Sequence, residues 1–314
     1  MEYLGIDIGG TKCSVVRGTD RGEIIEKVTA PTSTVNETIQ WIISSAEKLK
    51  GESVSAGISC GGPLNAELGI IQSPPNLPGW DNIEIVKILE ERLHIPAYLC
   101  NDANACAVAE WQFGAGSGCK NMVFFTFGTG LGAGLILDCK LYSGTNDMAG
   151  EAGHIRLDEH GPVGYGKAGS FEGFCSGGGI KQLGITYATE KFQMGEKVSF
   201  CEGYADLDNI TAKKIAECAN KGYADAIEVF YTCGIMLGKG LSIIIDILNP
   251  EKIVLGSIFE RCEHLLREPM EEVLKKECLF NSYNACRIVP AQLGDNIGDY
   301  AAIAVAKISR KENA

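Results

Sequence analysis

Residues 3 to 30 alternate apolar runs, Tyr3 to Ile8, Cys13 to Arg17 and Ile24 to Thr29, with glycine-bearing turns, a pattern that predicts short antiparallel strands. Thr34-Val-Asn-Glu37 then fits a capping box, and Ile39, Ile42, Ile43, Ala46 and Leu49 recur at helical spacing, so a helix is expected to pack on that sheet. Val54 to Ser59 reads as a further strand. Pro63 to Trp80 reads as a loop rich in Pro, Gly and Asn, long enough to suggest a functional role. Asp81 to His94 is expected as an amphipathic helix, Ala97 to Cys100 as a strand and Ala103 to Phe113 as a helix, which puts Asp102 at a strand-to-helix junction. Ala115-Gly-Ser-Gly118 reads as a hinge. Beyond it, Met122 to Phe127 and Gly134 to Leu137 are expected as strands around a glycine turn, opening a second lobe. Residues 209 to 247 read as mostly helical, Ile253 to Leu255 as a strand closed by Gly256, and Asp299 to Ile308 as a closing helix with Ala301, Ala302, Val305 and Ile308 on one face.

The two lobe starts resemble each other. Leu4-Gly-Ile-Asp-Ile-Gly-Gly-Thr-Lys-Cys-Ser-Val-Val and Phe124-Phe-Thr-Phe-Gly-Thr-Gly-Leu-Gly-Ala-Gly-Leu-Ile both read strand, glycine turn, strand. A duplicated unit spaced by about 120 residues follows.

Length and charge narrow the classes. A chain of 314 residues with 45% hydrophobic and 22% charged content exceeds what one compact core usually holds, which predicts two lobes. The net charge of −12 leaves no bulk basic surface for a nucleic-acid backbone or an anionic membrane. A strand beginning at about residue 3 leaves no room for a signal peptide, so a cytoplasmic setting is expected. The most apolar stretch, Leu241 to Leu248, is interrupted by Asp246, is far shorter than the roughly 20 residues needed to cross a bilayer, and reads as a buried helix rather than a membrane span. The 13 cysteines contain no CxxC pair and read as reduced, mostly buried thiols.

The candidate chemistry starts from the two glycine turns. Glycines let backbone approach a ligand and turn N–H groups toward an anion, so a pair of such turns points to a polyphosphate, although either one alone could be a tight hairpin. Neither has the GxxxxGK[ST] spacing of a P-loop. Gly128-Thr-Gly-Leu-Gly-Ala133 meets the loose dinucleotide string, but a strand follows where that motif requires a helix. Asp7, inside the first turn, is suited to holding Mg2+ directly or through water. Asp102 is either a general base or an ordinary helix N-cap, and Lys12 either a phosphate contact or an exposed hairpin lysine.

Six ordered motifs, Asp7-Ile-Gly-Gly-Thr-Lys12, Asn101-Asp-Ala-Asn-Ala105, Gly128-Thr-Gly-Leu-Gly-Ala-Gly134, Glu151-Ala-Gly-His154, Asn249-Pro-Glu-Lys-Ile-Val-Leu-Gly256 and Leu293-Gly-Asp295, resemble those of the ROK family over nearly the whole chain. That family groups bacterial sugar kinases, glucokinases among them, with sugar-responsive repressors. The resemblance implies an α/β, two-lobed actin-like ATPase fold built on a duplicated ribonuclease H-like unit, with ATP and sugar in the cleft. The implied lobes are residues 1–114, completed by a C-terminal helix 297–314, and residues 115–296. It further implies that Asp7, Gly9, Gly10, Thr11 and Lys12 form the first phosphate loop, that Gly128, Thr129, Gly130 and Gly132 form the second, and that Gly256 approaches the adenosine. Asn101, Asp102, Glu151, His154 and Glu172 would ring the sugar, the loop bearing Gly61, Gly62 and Asn76 would close over it, and Asp102 would be the base. ATP and Mg2+ are the implied cofactors, a hexose the implied acceptor and a homodimer the implied assembly. Glucose is the expected sugar, with N-acetylmannosamine, fructose, allose or a β-glucoside as alternatives. A non-catalytic sugar sensor of the same family is the alternative of another class.

Two departures stand out. Many members hold a structural zinc through the motif histidine and three cysteines of a Cys-x-Cys-Gly-x-x-Gly-Cys-x-Glu run. Counting back from Glu172, those places hold Val163, Tyr165 and Ser170, so no zinc site is expected, and packing of Tyr165 and Phe171 is expected to keep the loop's shape. Gly256-Ser257 stands where the family has two glycines, and the serine is expected to add only a small hydroxyl.

Overall fold

The computed structural model describes residues 1–312; residues 313 and 314 of the expected closing helix lie outside the described residues. The chain opens with an antiparallel meander, β1 (Glu2–Ile8), β2 (Lys12–Thr19) and β3 (Ile24–Pro31). Helix α1 (Val35–Leu49) begins at Thr34, whose hydroxyl accepts from the Glu37 amide as the capping pattern predicts. Then come β4 (Ala56–Cys60), the short strands β5 (Leu64–Asn65) and β6 (Ile70–Ile71), α2 (Ile85–Leu93), β7 (Ala97–Asn101) and α3 (Asp102–Phe113). The 63–80 segment is anchored: Leu64, Ile71, Leu77 and Trp80 are all buried. Helix α2 starts four residues later than periodicity predicts because Ile83 pairs with Ile71 in an isolated bridge.

A second meander follows, β8 (Met122–Phe125), β9 (Ala133–Leu137) and β10 (Lys140–Tyr142). After it come the two-residue strands β11 (Val163–Gly164) and β12 (Lys167–Ala168), α4 (Phe171–Phe174), α5 (Gly177–Gln193), α6 (Ala212–Asn220), α7 (Ala224–Leu248), β13 (Lys252–Leu255), α8 (Ile258–Glu277), α9 (Phe280–Ala285), β14 (Arg287–Pro290) and α10 (Ile297–Glu312). The larger sheets run β3-β2-β1-β4-β7 and β10-β9-β8-β13-β14. Each is a meander read backwards with two later strands added, which is the duplication expected from the paired glycine turns.

Two compact units are distinguished. One comprises Met1–Phe124, Gly134–Gly150 and the chain from Ala291 onward; the other comprises Phe125–Ala133 and Glu151–Pro290. The Ala115-Gly-Ser-Gly118 run therefore lies inside the first unit, and a buried carboxylate tethers it. Glu110, fully buried, accepts from the amides of Ala115 at 2.7 Å and of Gln292 and Leu293 at 2.9 Å each.

In the first unit, one face of the sheet buries Leu4, Ile6, Ile8, Val15 and Ile58 against Ile39, Ile42 and Ala46 of α1 and Leu89 and Leu93 of α2. The other face receives α10, which also packs on α3. Contact on two sides explains why Ala301 to Ala306 are all buried, a wider face than the single stripe expected from the sequence. The helix sits unusually close to the strands. A Cβ on Gly57 would collide with the Ala302 carbonyl oxygen and the Ala306 amide nitrogen, and one on Gly5 would lie 2.9 Å from the Ala302 Cβ.

In the second unit α7 packs against α4, α5, α6, α8 and α9. Among the described residues it is the one helix long and apolar enough to cross a membrane, so the sequence expectation of a much shorter apolar segment is corrected; Phe230, Cys233, Leu237 and Leu241 are buried against the protein. None of the 13 cysteines is in a disulfide, and Cys139 alone is exposed.

Replacing Gly57 by Ala is expected to lower unfolding free energy by at least about 2 kcal/mol, because the helix backbone it meets has no rotamer to yield. Urea denaturation checks this, and a midpoint equal to the parent's would refute the close approach.

Candidate active site

Strands β1, β4 and β7 are parallel, and their carboxyl ends carry Asp7, the Gly61-Gly62 pair and Asn101-Asp102 respectively. This is the edge at which open α/β sheets place ligands. The first glycine turn is tight: the Gly9 amide donates to the Lys12 carbonyl at 3.1 Å, and the Thr32 hydroxyl donates to the Gly9 carbonyl at 2.6 Å. Gly10, Thr11 and Lys12 are exposed at its tip. Gly10 touches the 63–80 loop, since a Cβ there would lie 2.6 Å from the Asn76 carbonyl oxygen. Asp7 stands in a polar row that crosses four strands, Ser59, Asp7, Ser14 and Thr29 being successive register partners. Burial raises its pKa from 3.8 to about 6, with a hydrogen bond from Ser59 opposing and the charges of Asp299 and Asp102 adding to the rise.

At the head of α3 the cap is Asn101, not Asp102. Its Oδ1 accepts from the amides of Ala103 at 3.0 Å and Asn104 at 3.4 Å. This corrects the reading of Asp102 as an ordinary N-cap: it occupies the first helical position, where its Oδ1 accepts from the Ala103 amide at 2.8 Å. Its Oδ2 faces Gly61, 3.8 Å from where a Cβ would sit, and Gly62 lies likewise 3.3 Å from Asn101 Nδ2. Solvent reaches Asp102, yet the protein around it displaces enough bulk water to raise its pKa above the ordinary carboxylate value. Asp7, Gly10, Gly61, Gly62, Asn76, Asn101 and Asp102 are thus brought together within the first unit.

The remaining expected residues meet in the second unit. The Gly128 amide donates to the Gly130 carbonyl at 3.0 Å, and the Gly132 amide to the Thr126 hydroxyl at 3.0 Å, which shapes the second glycine turn. Glu172 closes on that turn: its Oε2 accepts from the Leu131 amide at 2.9 Å, and a Cβ on Gly130 would lie 2.8 Å from the same oxygen. Glu151 precedes and His154 ends a single 3-10 turn, Ala152–His154, which packs Gly153 against the Leu131 carbonyl oxygen and Glu172 Cβ. The Gly256 amide donates to the Phe125 carbonyl at 2.9 Å. Ser257 does more than add a hydroxyl. It sits at φ 51°, a left-handed conformation that favours glycine, and its amide donates to Glu260 in a capping box that starts α8.

Sequence reasoning missed Gly177 to Gly179. The Gly177 amide donates to the Gly128 carbonyl at 2.8 Å, and Ser176 caps α5 by accepting from the Gly179 amide at 3.0 Å. The Ser-Gly-Gly-Gly run at 176–179 was the available signal. It also missed Gly298 and Asp299, whose only sequence signal is their nearness to Leu293-Gly-Asp295.

At the three places where many family members have cysteine, other bonds shape the loop. Gln182 clamps Val163, its Oε1 accepting from the Val163 amide at 2.8 Å and its Nε2 donating to the Val163 carbonyl at 2.9 Å. Ser170 is buried and caps α4 by accepting from the Gly173 amide at 3.0 Å. Phe171 packs as expected, fully buried and edge-on to Phe125 at 5.8 Å. Tyr165 does not: it is 77% exposed, at φ 45°, with its ring edge-on to His154 at 5.5 Å. Valine and serine side chains are not zinc ligands, and among the described residues no group of three or more His, Cys, Asp or Glu side chains is placed to hold a metal. A single carboxylate, Asp7, does fit Mg2+, which keeps several waters and takes its other ligands from phosphate oxygens.

The sheet order and the paired glycine turns define a two-lobed actin-like ATPase fold. Residues 3–308 match the ROK family, and the chain belongs to it. It is 30% identical over 308 residues to a glucokinase from Halalkalibacterium halodurans, covering 94% of this chain and 92% of the relative. A solved ROK family glucokinase from Streptomyces griseus, in complex with glucose and AMPPNP, superposes with a TM-score of 0.76 at 27% identity, covering 98% of this chain and all of that one. The DNA-binding transcriptional dual regulator NagC of Escherichia coli is 28% identical over 246 residues, covering 78% of this chain and 58% of the regulator.

Asp7 carries a folded pKa of about 6 against 3.8, so its charge destabilises the folded chain fully above pH 6 and not at all below about pH 4. Without Mg2+ and nucleotide, Asp7→Asn is expected to be more stable than the parent by on the order of 2 kcal/mol at pH 7.5. The gain should shrink toward zero as pH falls from 6 to 4. Thermal unfolding across this range checks it, and a gain that grows on acidification would contradict the assigned burial.

Proposed function

We propose that the chain is an ATP-dependent sugar kinase that transfers the γ-phosphoryl group of ATP to the primary hydroxyl of a hexose, with glucose the expected acceptor. The observation that carries this reading is Asp102, solvent-accessible, raised in pKa and fixed at the head of α3 beside Asn101. A carboxylate so placed accepts the hydroxyl proton as that oxygen forms its bond to phosphorus and the bond from the γ-phosphorus to the bridging oxygen of ADP breaks. Mg2+ supplies charge neutralisation on the phosphates when bound. The chain's own parts are Asp7 for the metal, the amides of Gly9 to Lys12 and Gly128 to Gly132 for the phosphates, and Asn101, Glu151, His154 and Glu172 for the sugar hydroxyls. The presence of both Asp7 and Asp102 supports turnover over the non-catalytic sugar sensing that the family resemblance offers as the alternative.

A coupled assay of ADP release with ATP and a panel of hexoses tests the proposal. Sugar-dependent release, strongest with glucose, is expected; no release with any sugar, or equal release without sugar, would sink it. Asp102→Asn should lower kcat by roughly 10²- to 10⁴-fold while sugar still binds. Because the base works only when deprotonated and its pKa is raised, kcat/KM should fall on acidification at a pH above the ordinary carboxylate range. An unshifted acid limb would assign the proton transfer to another group.

A further inference from the structure

Asp299 is 6% exposed and stands at the third position of α10, one residue past Gly298. Gly298 presses on the Asp7 carboxylate: a Cβ there would lie 2.8 Å from Asp7 Oδ2. Both oxygens of Asp299 are engaged by the meander. Oδ1 accepts from the Ser14 hydroxyl at 2.9 Å and Oδ2 from Lys27 Nζ at 2.5 Å. Ser14 is the cross-strand partner of Asp7, and Lys27 pairs with Val16 one row away on the same face. A cavity of about 70 Å3 opens there, with Asp7, Lys12, Lys27, Asp295, Asn296 and Asp299 in its wall.

A buried ion pair is a poor source of stability, because desolvation offsets most of the attraction and a packed apolar pair would serve as well. Its place in the wall of the cavity that Asp7 and Lys12 share gives it another use. We propose that Asp299, held by Ser14 and Lys27, is a positioning residue for the metal-and-phosphate end of the nucleotide site. The pair pins the first turn of α10 to β2 and β3, so that Gly298 and Asn296 frame the Asp7 carboxylate. Lys27 cancels the charge of Asp299, so that Asp299 adds nothing to the negative charge that Asp7 and Asp295 bring to the cavity wall. Removing Lys27 leaves Asp299 without its counter-charge in the wall, where it repels phosphate and competes for the metal. This inference rests on the kinase reading.

The test is calorimetric binding of ADP with Mg2+ in the absence of sugar, together with KM for ATP and for the sugar, in the parent, Asp299→Asn, Lys27→Met and Lys27→Arg. Asp299→Asn and Lys27→Met should weaken Mg·ADP binding by about tenfold or more and raise the ATP KM in step, as loss of a partner behind a metal ligand does elsewhere. The sugar KM should stay within about twofold, and Lys27→Arg should restore most of the affinity. Lys27 is part-exposed, so its variants carry the test if Asp299→Asn fails to fold. Unchanged nucleotide affinity with only a lower melting temperature would overturn the proposal, as would equal losses in both KM values. A parent that binds Mg·ADP but phosphorylates no sugar would remove the kinase reading and leave this test decisive. A parent that binds no nucleotide would remove both.

Discussion

The close seating of α10 on the first sheet is the contact on which the rest of the first unit depends. It is possible because Gly57 and Gly5 present bare Cα atoms to a helix whose facing residues are alanines. A helix from the far end of the chain thereby lies beside the first strands, with Gly298 against Asp7 and Asp299 between Ser14 and Lys27. The same seating brings Gln292 and Leu293 to one oxygen of the buried Glu110, whose other oxygen holds the Ala115 amide at the start of a glycine-bearing run that looks flexible in sequence.

Three aspartates are gathered at one end of this sheet, in a chain whose net charge is already −12. Each is managed differently. Asp299 is neutralised by Lys27, Asp7 takes a hydrogen bond from Ser59, and Asp102 takes one from the Ala103 amide. Burial still lifts Asp7 and Asp102 above the ordinary carboxylate range. Paired structural carboxylates and lifted, accessible ones side by side are what a site needs if it is to hold a cation and move a proton.

In the second unit, the segment that holds a metal in many family members keeps its form through ordinary bonds. The Gln182 clamp fixes Val163, Ser170 starts a short helix, and Phe171 anchors it in the core. Glu172 is thereby delivered to the second glycine turn, where it accepts from the Leu131 amide. The exposed Tyr165 ring lies against His154 instead of filling the interior.

Local chemistry was legible from the chain alone wherever a few adjacent residues settle it. The Thr34 cap, the alternating strands, the two strand-turn-strand repeats and the junction at Asp102 depend on near neighbours and on periods that sequence displays directly. The identity of the cap at Asn101, the start of α2 and the exposure of Tyr165 were decided by competition among close alternatives. There, one residue's shift changes the outcome, and distant contacts such as Ile71 with Ile83 decide. The Lys27–Asp299 pair, the tether at Glu110 and the glycine approach at Gly57 were settled only by tertiary structure. Their partners lie roughly 180 to 270 residues apart, and no local pattern encodes which buried charge will meet which.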